Sequence, residues 1–346
     1  MRCFLVPFIC WLGVFGSAVA GPSEEGEKAS YTIYISNERS GDISVLDGRT
    51  WAETSRHPVG KRPRGIHVAP DGATLYVALS GSPRMGPGVD PARAKAAPAD
   101  KAADGIAMIS LRPFQVGRKL FVGSDPEEFA ISGDGRTLIV SNEDEAIASA
   151  WDIASGRRIF AATVSEEPEG VAIHPVGADV YVTCEMFGEV FILDARTGDQ
   201  RARLKVGGRP RKVAFAPDGR LAYVPVEGRA EVAVIDAQQR TLAGTIPVAL
   251  PGSLPMDAVV LPSGTELWVS TGRGNAVAVI DLARREVVAA VPVGARVWGI
   301  ALSPDGRRLF TANGGSNDVS VIDVAARREI KRVPVGDGPW GVAIGP

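Results

Sequence analysis

Cysteine is scarce in this chain, and the scarcity limits how the fold can be stabilised. The sequence contains three cysteines, Cys3, Cys10 and Cys184. Two of them lie within residues 1–20, so the rest of the chain has one cysteine and no intramolecular disulfide. The fold must therefore be held by packing, for which the 326 residues that follow residue 20 of this 346-residue chain are enough.

Histidine is also rare, and the motifs of common enzyme classes are missing. The three histidines, His57, His67 and His174, match no zinc-site spacing. The sequence has neither the Gly-x-Ser-x-Gly of serine hydrolases nor a phosphate-binding glycine loop. Basic residues do not alternate with aromatic ones, and the net charge is −2, so nothing favours nucleic-acid binding. No pattern in the sequence indicates catalysis.

Long apolar runs are confined to the N-terminus. Residues 3–15 (CFLVPFICWLGVF) are apolar and precede Ala18-Val19-Ala20, a small-x-small cleavage site. This pattern predicts a Sec-type signal peptide over residues 1–20, cleaved after Ala20, and a short leader over residues 21–30. The alternative is an uncleaved N-terminal anchor, although the run is shorter than the roughly 20 residues that span a bilayer. We therefore expect a periplasmic or secreted protein with no membrane span after cleavage.

The chain is rich in one feature, an internal repeat of short strands and turns. A turn that leads into an apolar strand, as in PEGVAI (168–173) and VWGIAL (297–302), returns seven times, mostly at intervals of 42 residues. A period of this length, built from short strands, is typical of a β-propeller with one blade per repeat. The sequence therefore predicts an all-β, seven-bladed β-propeller with four-stranded blades over residues 31–346. The units begin at residues 63, 126, 168, 210, 255, 297 and 339.

Each repeat carries four short strands, A to D in chain order. In one repeat we predict strand A at residues 170–173, B at 180–183, C at 189–193 and D at 200–206, each bounded by Gly, Pro, Asp or Asn. Aspartates that end strand C in six blades, such as Asp47, are expected to cap the following turn. The first strands of the chain lack a strand A, and the last strand lacks B, C and D. Pairing of the two chain ends would close the ring and leave no open sheet edge.

The second blade contains an insertion. The first interval between units exceeds the regular one by 21 residues, which places extra residues at about 81–104, between strands B and C. The stretch is rich in Pro, Gly and Ala and has no apolar period, so we predict a surface loop. A loop of this length in a compact domain is either functional or disordered, and the sequence favours neither.

Four short motifs relate the chain to a known family. YISN (34–37), IVSN (139–142), YVTC (181–184) and TAN (311–313), each followed by a VSVID-like strand, resemble the repeats of the YVTN-type β-propeller family. The C-terminal segment 296–346 is similar to exported β-propellers associated with PQQ-dependent alcohol catabolism. The repeat also resembles the propeller domain of cytochrome d1 nitrite reductases, but the chain has no Cys-x-x-Cys-His for a c-type haem. The resemblance implies an accessory of quinoprotein oxidation, with a quinoprotein dehydrogenase or a cytochrome as its partner.

A binding site is expected at the mouth of the central channel. In a propeller the D-to-A connections and the B-to-C loops emerge on one face, and in this chain their residues vary from blade to blade. We expect a ligand or a partner there, with an acidic arc, basic flanks that include Lys212, and an aromatic arc. The ends of strand B add Glu38, Glu143, Cys184, Glu185 and Glu227 to the same rim. The predicted binding residues are Arg64, Glu127, Glu128, Glu169, Arg211, Trp298, Trp340, Asn37, Asn142 and Asn313.

Other interpretations of the mouth stay open. Arginines and glutamates of neighbouring blades could pair with each other, and the two tryptophans could simply plug the channel. The acidic arc could hold Ca²⁺ or another divalent ion, but no ligand spacing indicates one, so no cofactor is predicted. His67 stands where the other blades have a small apolar residue, and a packed core histidine is favoured over a cofactor ligand. Cys184 is expected to be a free thiol near the rim.

The sequence and the resemblance together predict an exported, non-enzymatic binding or scaffold protein that acts as a monomer. One alternative is a metal-dependent propeller enzyme of the lactonase or lyase type, which would use the acidic arc. The other is a redox accessory protein that holds a haem or a quinone between Trp298, Trp340 and His67.

Overall fold

The computed structural model describes Met1, residues 31–84 and residues 98–346. The predicted signal peptide and leader, apart from Met1, and residues 85–97 of the inserted loop lie outside the described residues. No helix among the described residues is long and apolar enough to cross a bilayer.

The described residues form seven four-stranded antiparallel sheets, arranged as the blades of a propeller, which confirms the predicted fold. Three single-turn 3₁₀ helices, Lys101–Ala103, Glu143–Glu145 and Glu227–Arg229, lie in loops between strands B and C. In chain order the strands are β1 (Thr32–Asn37), β2 (Asp42–Asp47), β3 (Glu53–Pro58), β4 (Ile66–Val68), β5 (Thr74–Leu79), β6 (Gly105–Leu111), β7 (Phe114–Leu120), β8 (Pro126–Ile131), β9 (Thr137–Asn142), β10 (Ile147–Asp152), β11 (Arg158–Thr163), β12 (Pro168–Ile173), β13 (Asp179–Cys184), β14 (Glu189–Asp194), β15 (Gln200–Lys205), β16 (Ala214–Phe215), β17 (Leu221–Val226), β18 (Glu231–Asp236), β19 (Thr241–Pro247), β20 (Ala258–Val260), β21 (Glu266–Ser270), β22 (Ala276–Asp281), β23 (Glu286–Pro292), β24 (Val297–Leu302), β25 (Arg308–Asn313), β26 (Asp318–Asp323), β27 (Arg328–Pro334) and β28 (Pro339–Gly345).

The two ends of the propeller domain meet in one blade. Blade 1 has the strand order β28-β1-β2-β3, and blades 2 to 7 each take four consecutive strands, beginning with β4 to β7 in blade 2. β28 pairs with β1 in antiparallel fashion, with Ile33 opposite Ile344 and Tyr34 opposite Ala343. The closure predicted from the sequence is therefore confirmed, and the inner strand of blade 1 is the last strand of the chain.

Burial follows the position of a strand within its blade. In blade 4, β13 and β14 are buried at every residue, whereas β15 alternates between exposed and half-buried residues. The middle strands are covered on both faces by neighbouring blades, so they are almost continuously apolar, while the outer strand faces solvent. One such interblade core joins Ile139 of blade 3 to Val182 and Phe191 of blade 4.

The aspartates at the ends of strand C cap the turns that follow. Asp47 Oδ1 accepts hydrogen bonds from the backbone N–H groups of Thr50 at 2.6 Å and Arg49 at 3.1 Å. Asp194 does the same in blade 4, where the N–H of Arg196 and a contact with Arg201 lower the pKa of its carboxyl to about 2. These aspartates therefore have the structural role that the sequence predicted.

Cys184 is the free thiol that the sequence predicted, and it is buried at the end of β13, directly before the cavity residue Glu185. Its side chain is fully buried and packs with Val171 and Val182 between blades 3 and 4. Burial raises the pKa of the thiol to about 12, so it is protonated at neutral pH.

The described ends of the inserted loop are held together at its base. The N–H of Gly81 donates to Asp104 Oδ1 at 2.6 Å, and the N–H of Asp100 donates to the carbonyl of Gly81 at 2.9 Å. Asp104 also accepts a hydrogen bond from the N–H of Asp125 at 3.1 Å, which fixes the start of blade 3. The base of the loop therefore supports the mouth of the channel.

Candidate functional site

A cavity of about 460 Å³ opens at the channel mouth. Its lining comes from the D-to-A connections and the B-to-C loops, as expected from the repeat. Acidic residues and arginines make up most of it. The lining residues are Glu38, Arg62, Arg64, Pro83, Arg84, Asp125, Glu127, Glu143, Glu167, Glu169, Glu185, Arg209, Arg211, Glu227, Leu254, Met256, Gly272, Arg273, Arg296, Trp298 and Trp340. From the predicted set the cavity therefore brings together Arg64, Glu127, Glu169, Arg211, Trp298 and Trp340.

Arg64 is the centre of the first charged cluster. It is 3% exposed, and its Nη2 donates to Asp125 Oδ1 at 2.5 Å and to the carbonyl of Pro126 at 3.0 Å. Its Nη1 contacts Glu127 and lies 3.8 Å from Glu143 Oε2. Burial alone would raise the pKa of Asp125, but the charge of Arg64 outweighs it and the pKa is lowered. This cluster joins the D-to-A connections that lead into blades 2 and 3.

The three carboxylates around Arg64 are the described group whose geometry comes nearest to a metal site. Asp125, Glu127 and Glu143 each offer an oxygen within 4.8 Å of the other two. The guanidinium of Arg64 lies among them and supplies the positive charge that a cation would bring. Glu143 is the least well compensated, since burial and the charges of Asp125 and Glu169 raise its pKa to about 7.

Arg211 is the centre of the second charged cluster. It is 5% exposed and contacts three glutamates, with Nη1 3.0 Å from Glu169 Oε1 and Nε 2.8 Å from Glu227 Oε2. The third is Glu185, which also lies 2.7 Å from Arg209 Nη2. Burial and the neighbouring Glu169 raise the pKa of Glu185 to about 9, because three carboxylates face two arginines. The cluster therefore holds a proton at neutral pH.

Much of the predicted acidic arc and both of its basic flanks are therefore engaged in ion pairs between blades. Arg64 joins residues of blades 2 and 3, and Arg211 joins residues of blades 4 and 5. These ion pairs are buried, so removal of one partner would leave an uncompensated charge in the wall of the channel. We call this part of the cavity, with the Arg64 and Arg211 clusters, the acidic half.

Trp298 and Trp340 form part of the cavity floor. Their rings stack on each other, with centroids 6.1 Å apart and planes inclined by 21°. The guanidinium carbon of Arg296 lies 4.9 Å from the centroid of Trp298, and Lys212 Nζ lies 4.9 Å from that of Trp340. These cation–π contacts cover faces of the two tryptophan rings that we had expected to be available to a ligand. Trp340 is 5% exposed, whereas Trp298 is half-buried, and both line the cavity.

Glu128 does not line this cavity. Its side chain instead contacts Lys212 inside the channel. Its Oε2 is 2.9 Å from Lys212 Nζ, which is also 3.4 Å from Asp257 Oδ2. Burial would raise the pKa of Glu128, but the charges of Lys212 and His67 lower it to about 2. Burial of Asp257 raises the pKa of that carboxyl, so Lys212 depends chiefly on Glu128 for its counter-charge. Charged side chains from three blades thus meet inside the channel.

His67 belongs to the same network rather than to an apolar core. Its Nε2 lies 2.8 Å from Glu128 Oε1, and its ring meets Phe129 edge-on with centroids 4.8 Å apart. The side chain is 43% exposed, so the favoured interpretation as a packed core histidine is wrong.

The three predicted asparagines do not line the cavity. Asn37 Nδ2 donates to Asp42 Oδ1 at 2.7 Å and to Ser44 Oγ at 2.9 Å, and Asn313 makes the same two bonds in blade 7. Asn142 donates to the carbonyl of Val122 at 2.9 Å. All three are fully buried and hold the B-to-C hairpins together. The residue after the asparagine reaches the cavity instead, as Glu38 and Glu143 show.

Sequence reasoning missed a set of lining residues that lie directly before each repeat unit. Most of them adopt positive φ, with values from 43° at Arg62 to 58° at Arg209. In blade 1 the same position is Gly338, with φ of 67°. The position could have been found by aligning the repeats and examining the residue before each unit. The missed residues are Arg62, Asp125, Glu167, Arg209, Leu254 and Arg296.

The part of the lining contributed by blades 6 and 7 differs from the acidic half. It contains Arg273 in a B-to-C loop and Arg296 before β24, together with Leu254, Met256 and Trp298. Arg273 is exposed and Arg296 is half-buried. We call this part the cationic half, and it combines positive charge with apolar surface.

These features define the class of protein: a seven-bladed β-propeller whose connecting loops build a charged cavity at the channel mouth. The chain belongs to the YncE-like β-propeller family, whose model matches residues 5–344. The resemblance to YVTN-type propellers is thereby confirmed. No curated protein matches the chain.

Solved structures of the same fold come from several proteins. Hydrazine synthase of Kuenenia stuttgartiensis is 21% identical, with a TM-score of 0.67 over 81% of this chain and 89% of that chain. A functionally unknown protein from Desulfotomaculum acetoxidans is 16% identical, with a TM-score of 0.74 over 91% and 99%. The dihydro-heme d1 dehydrogenase NirN, in complex with DHE, is 16% identical, with a TM-score of 0.63 over 93% and 76%. At these identities the likeness shows the fold alone.

Proposed function

We propose that this protein is an exported, non-enzymatic binding protein that holds a ligand in the cavity at its channel mouth. The observation that carries the proposal is the cavity itself. Its volume of about 460 Å³ falls in the range of small-molecule sites, and it joins an apolar wall to converging charged groups. The cavity opens on the face where the loops differ between blades, while the scaffold below it repeats.

The side chains of the cavity favour binding over catalysis. The described lining contains no Ser, Thr, Cys, His, Lys or Tyr, so carboxylates are its candidate nucleophiles and bases. The carboxylates nearest Arg64 and Arg211 are engaged in ion pairs. The half-buried Glu143 and the buried Glu185 have raised pKa values because burial and neighbouring carboxylates disfavour their ionised forms. Buried ion-pair networks also shift pKa values in this way without catalysis.

The alternative of a metal-dependent lactonase or lyase has weaker support. Such an enzyme needs a cation with an open coordination position. At the nearest candidate group, Asp125, Glu127 and Glu143, the guanidinium of Arg64 takes that place and donates to Asp125. A metal would have to displace a buried arginine that also bonds the carbonyl of Pro126.

The alternative of a haem or quinone held between the tryptophans and His67 also lacks a fitting space. Trp298 and Trp340 stack on each other, and His67 is bonded to Glu128. His67 is not among the residues that line the cavity. A planar cofactor would therefore need both the stack and the histidine contact to open.

We further propose that the protein serves a PQQ-dependent oxidation pathway in the periplasm. The support is the similarity of residues 296–346 to propellers associated with such pathways. One structural neighbour is named as a dihydro-heme d1 dehydrogenase. A quinoprotein dehydrogenase or a cytochrome could dock on the same face, where Phe121, Met186 and Phe187 are exposed.

The decisive experiment is native mass spectrometry of the protein purified from its own periplasm, with metal analysis of the same sample. We expect a chain that begins at Gly21 and carries a bound organic ligand or partner. Trp298→Ala should lose the bound species, because it removes part of the cavity wall, while Trp151→Ala, in β10 and away from the cavity, should keep it. A bare wild-type chain that captures no partner would contradict the proposal, and a stoichiometric metal would favour the enzyme alternative.

A further inference from the structure

We propose that the cavity binds a small organic anion with an apolar body, whose carboxylate is held by Arg273 and Arg296. The inference rests on the proposed function, since it names the chemical class of the ligand for the same cavity. It assigns the two halves of the cavity different roles: the cationic half binds the ligand, and the acidic half limits its charge.

The two arginines differ from four others in the lining. For Arg273 and Arg296, no carboxylate oxygen within residues 31–84 or 98–346 lies within 4.0 Å, and neither guanidinium donates a hydrogen bond to a residue in those ranges. Four of the remaining five lining arginines have a carboxylate oxygen within 3.0 Å of the guanidinium, namely Arg62, Arg64, Arg209 and Arg211. The cationic half therefore has a positive charge that the described protein does not neutralise.

A bound anion at Arg296 would offset the repulsion between its guanidinium and the neighbouring arginines. Arg296 is half-buried over Trp298, and burial together with the charges of Arg273, Arg84 and Arg39 outweighs the opposing charge of Glu38 and lowers its pKa. Two guanidinium groups that repel each other at the edge of a cavity can both donate to one carboxylate, which arginine binds in a forked geometry. A carboxylate at this point would compensate both the repulsion and the lost hydration.

The backbone at Arg296 supports a role for its side chain. Arg296 has φ of 53°, a conformation that suits glycine, and the equivalent residue of blade 1 is Gly338. A non-glycine residue in this region is strained, so the side chain at this position has a cost in conformational energy. Arg62 and Arg209 have similar φ values, but their guanidinium groups pair with Glu38 and Glu185. For Arg296 the matching partner is a ligand in the cavity.

The surroundings indicate the rest of the ligand. Leu254 and Met256 line the same half and offer apolar contact to a hydrocarbon or aromatic body, beside the Trp298 ring that Arg296 covers. The acidic half, with Glu167 and Glu169, repels additional negative charge. A monoanion with one apolar portion therefore fits better than a polyanion such as a nucleic acid.

The test uses benzoate as the probe, and calorimetric titration of the mature protein at low salt, where screening is weak. Benzoate should bind one-to-one with a dissociation constant on the order of 1 mM, as befits a ligand of its size. Benzamide, which has the same shape without the charge, should bind at least about tenfold more weakly. Inorganic phosphate should also bind more weakly than benzoate, because it has no apolar body.

Variants locate the site. Arg273→Gln and Arg296→Gln should each weaken benzoate about tenfold or more. Arg296→Gly should weaken it equally and keep the melting temperature, because glycine suits this backbone conformation. Arg220→Gln, on an A-to-B turn of the opposite face, makes the same charge change and should leave the affinity unchanged.

Several outcomes would overturn the inference: no saturable benzoate binding, equal binding of benzamide, tighter binding of phosphate, or full affinity in Arg296→Gln. The inference and the proposed function can fail separately. A neutral or cationic ligand found on the purified chain would refute the anion assignment and leave the binding function standing. A chain that carries no ligand or partner from the periplasm, yet binds benzoate through Arg296, would support the anion site and refute the proposed function.

Discussion

Replacement of Glu128 by glutamine should destabilise the propeller through the charge left on Lys212. The Glu128 side chain is 3% exposed, and its carboxylate lies between Lys212 Nζ at 2.9 Å and His67 Nε2 at 2.8 Å. Lys212 would then keep Asp257, at 3.4 Å, as its nearest carboxylate. Removal of one partner of a buried ion pair costs about 3–5 kcal/mol, because the other charge stays buried without compensation.

The pKa of Glu128 gives a second estimate of the same stabilisation. It lies at about 2, below the ordinary value of 4.5. The folded chain therefore binds fewer protons than the unfolded chain between these values, so this contribution is complete above about pH 5 and is lost as the pH falls toward 2. Since a tenfold change in proton affinity is worth about 1.4 kcal/mol, the contribution is about 3 kcal/mol, in agreement with the first estimate.

Denaturant unfolding of wild type and Glu128→Gln at pH 7 and near pH 2.5 would measure this contribution. We expect a difference of about 3 kcal/mol at pH 7 that becomes much smaller at low pH. Glu53→Gln is the matched control, since its partner Arg56 is exposed and such pairs contribute less than about 1 kcal/mol. Lys212→Met combined with Glu128→Gln should lose less than the sum of the two single changes. An equal loss at both pH values, or additive single changes, would refute the role assigned to the pair.

Three further predictions concern closure, the second cluster and the loop. Deletion of residues 339–346 should lower the thermal midpoint sharply, because β1 loses its partner β28, and an unchanged melting curve would refute the closure. The raised pKa of Glu185 means that the folded chain binds more protons than the unfolded one between about pH 4.5 and 9, so this group weakens stability as the pH rises. Glu185→Gln should therefore lose less thermal stability than wild type between pH 5 and 9, and a parallel decline would count against the shared proton. Excision of residues 82–103 should move the melting temperature by only a few degrees, since the backbone N–H of Gly81 already donates to Asp104 Oδ1 at 2.6 Å. Loss of the folded state would show that the loop is structural.

The architecture could be predicted from the sequence because each blade repeats the same turns at the same spacing. Strand B of blade 4 was predicted at residues 180–183 and spans Asp179–Cys184. The last repeat unit was predicted to begin at residue 339, and the closing strand spans Pro339–Gly345. Glycine and aspartate mark where a strand must end, and that local information needs no knowledge of the neighbouring blades.

The site was less predictable because successive side chains of a strand point in different directions. Glu127 reaches the cavity, whereas Glu128, one residue further on, reaches across the channel to Lys212. In the same way Asn37 is turned into its hairpin and Glu38 lines the cavity. A shift of one residue changes the face on which a side chain lies, and the sequence shows the repeat unit without the direction of each side chain.

The residue directly before each repeat unit lies at the boundary between the repeated strands and the variable lining of the cavity. The turn needs a positive φ, which glycine adopts without strain, as Gly338 does in blade 1. Arg62, Asp125 and Arg296 adopt it with φ of 43°, 46° and 53°, and their side chains line the cavity. Each non-glycine residue at such a position costs about 1 kcal/mol or more. Exchange of this residue alters the charge of the cavity without changing the residues that form the strands, so the lining of the mouth can differ between blades while the scaffold stays the same.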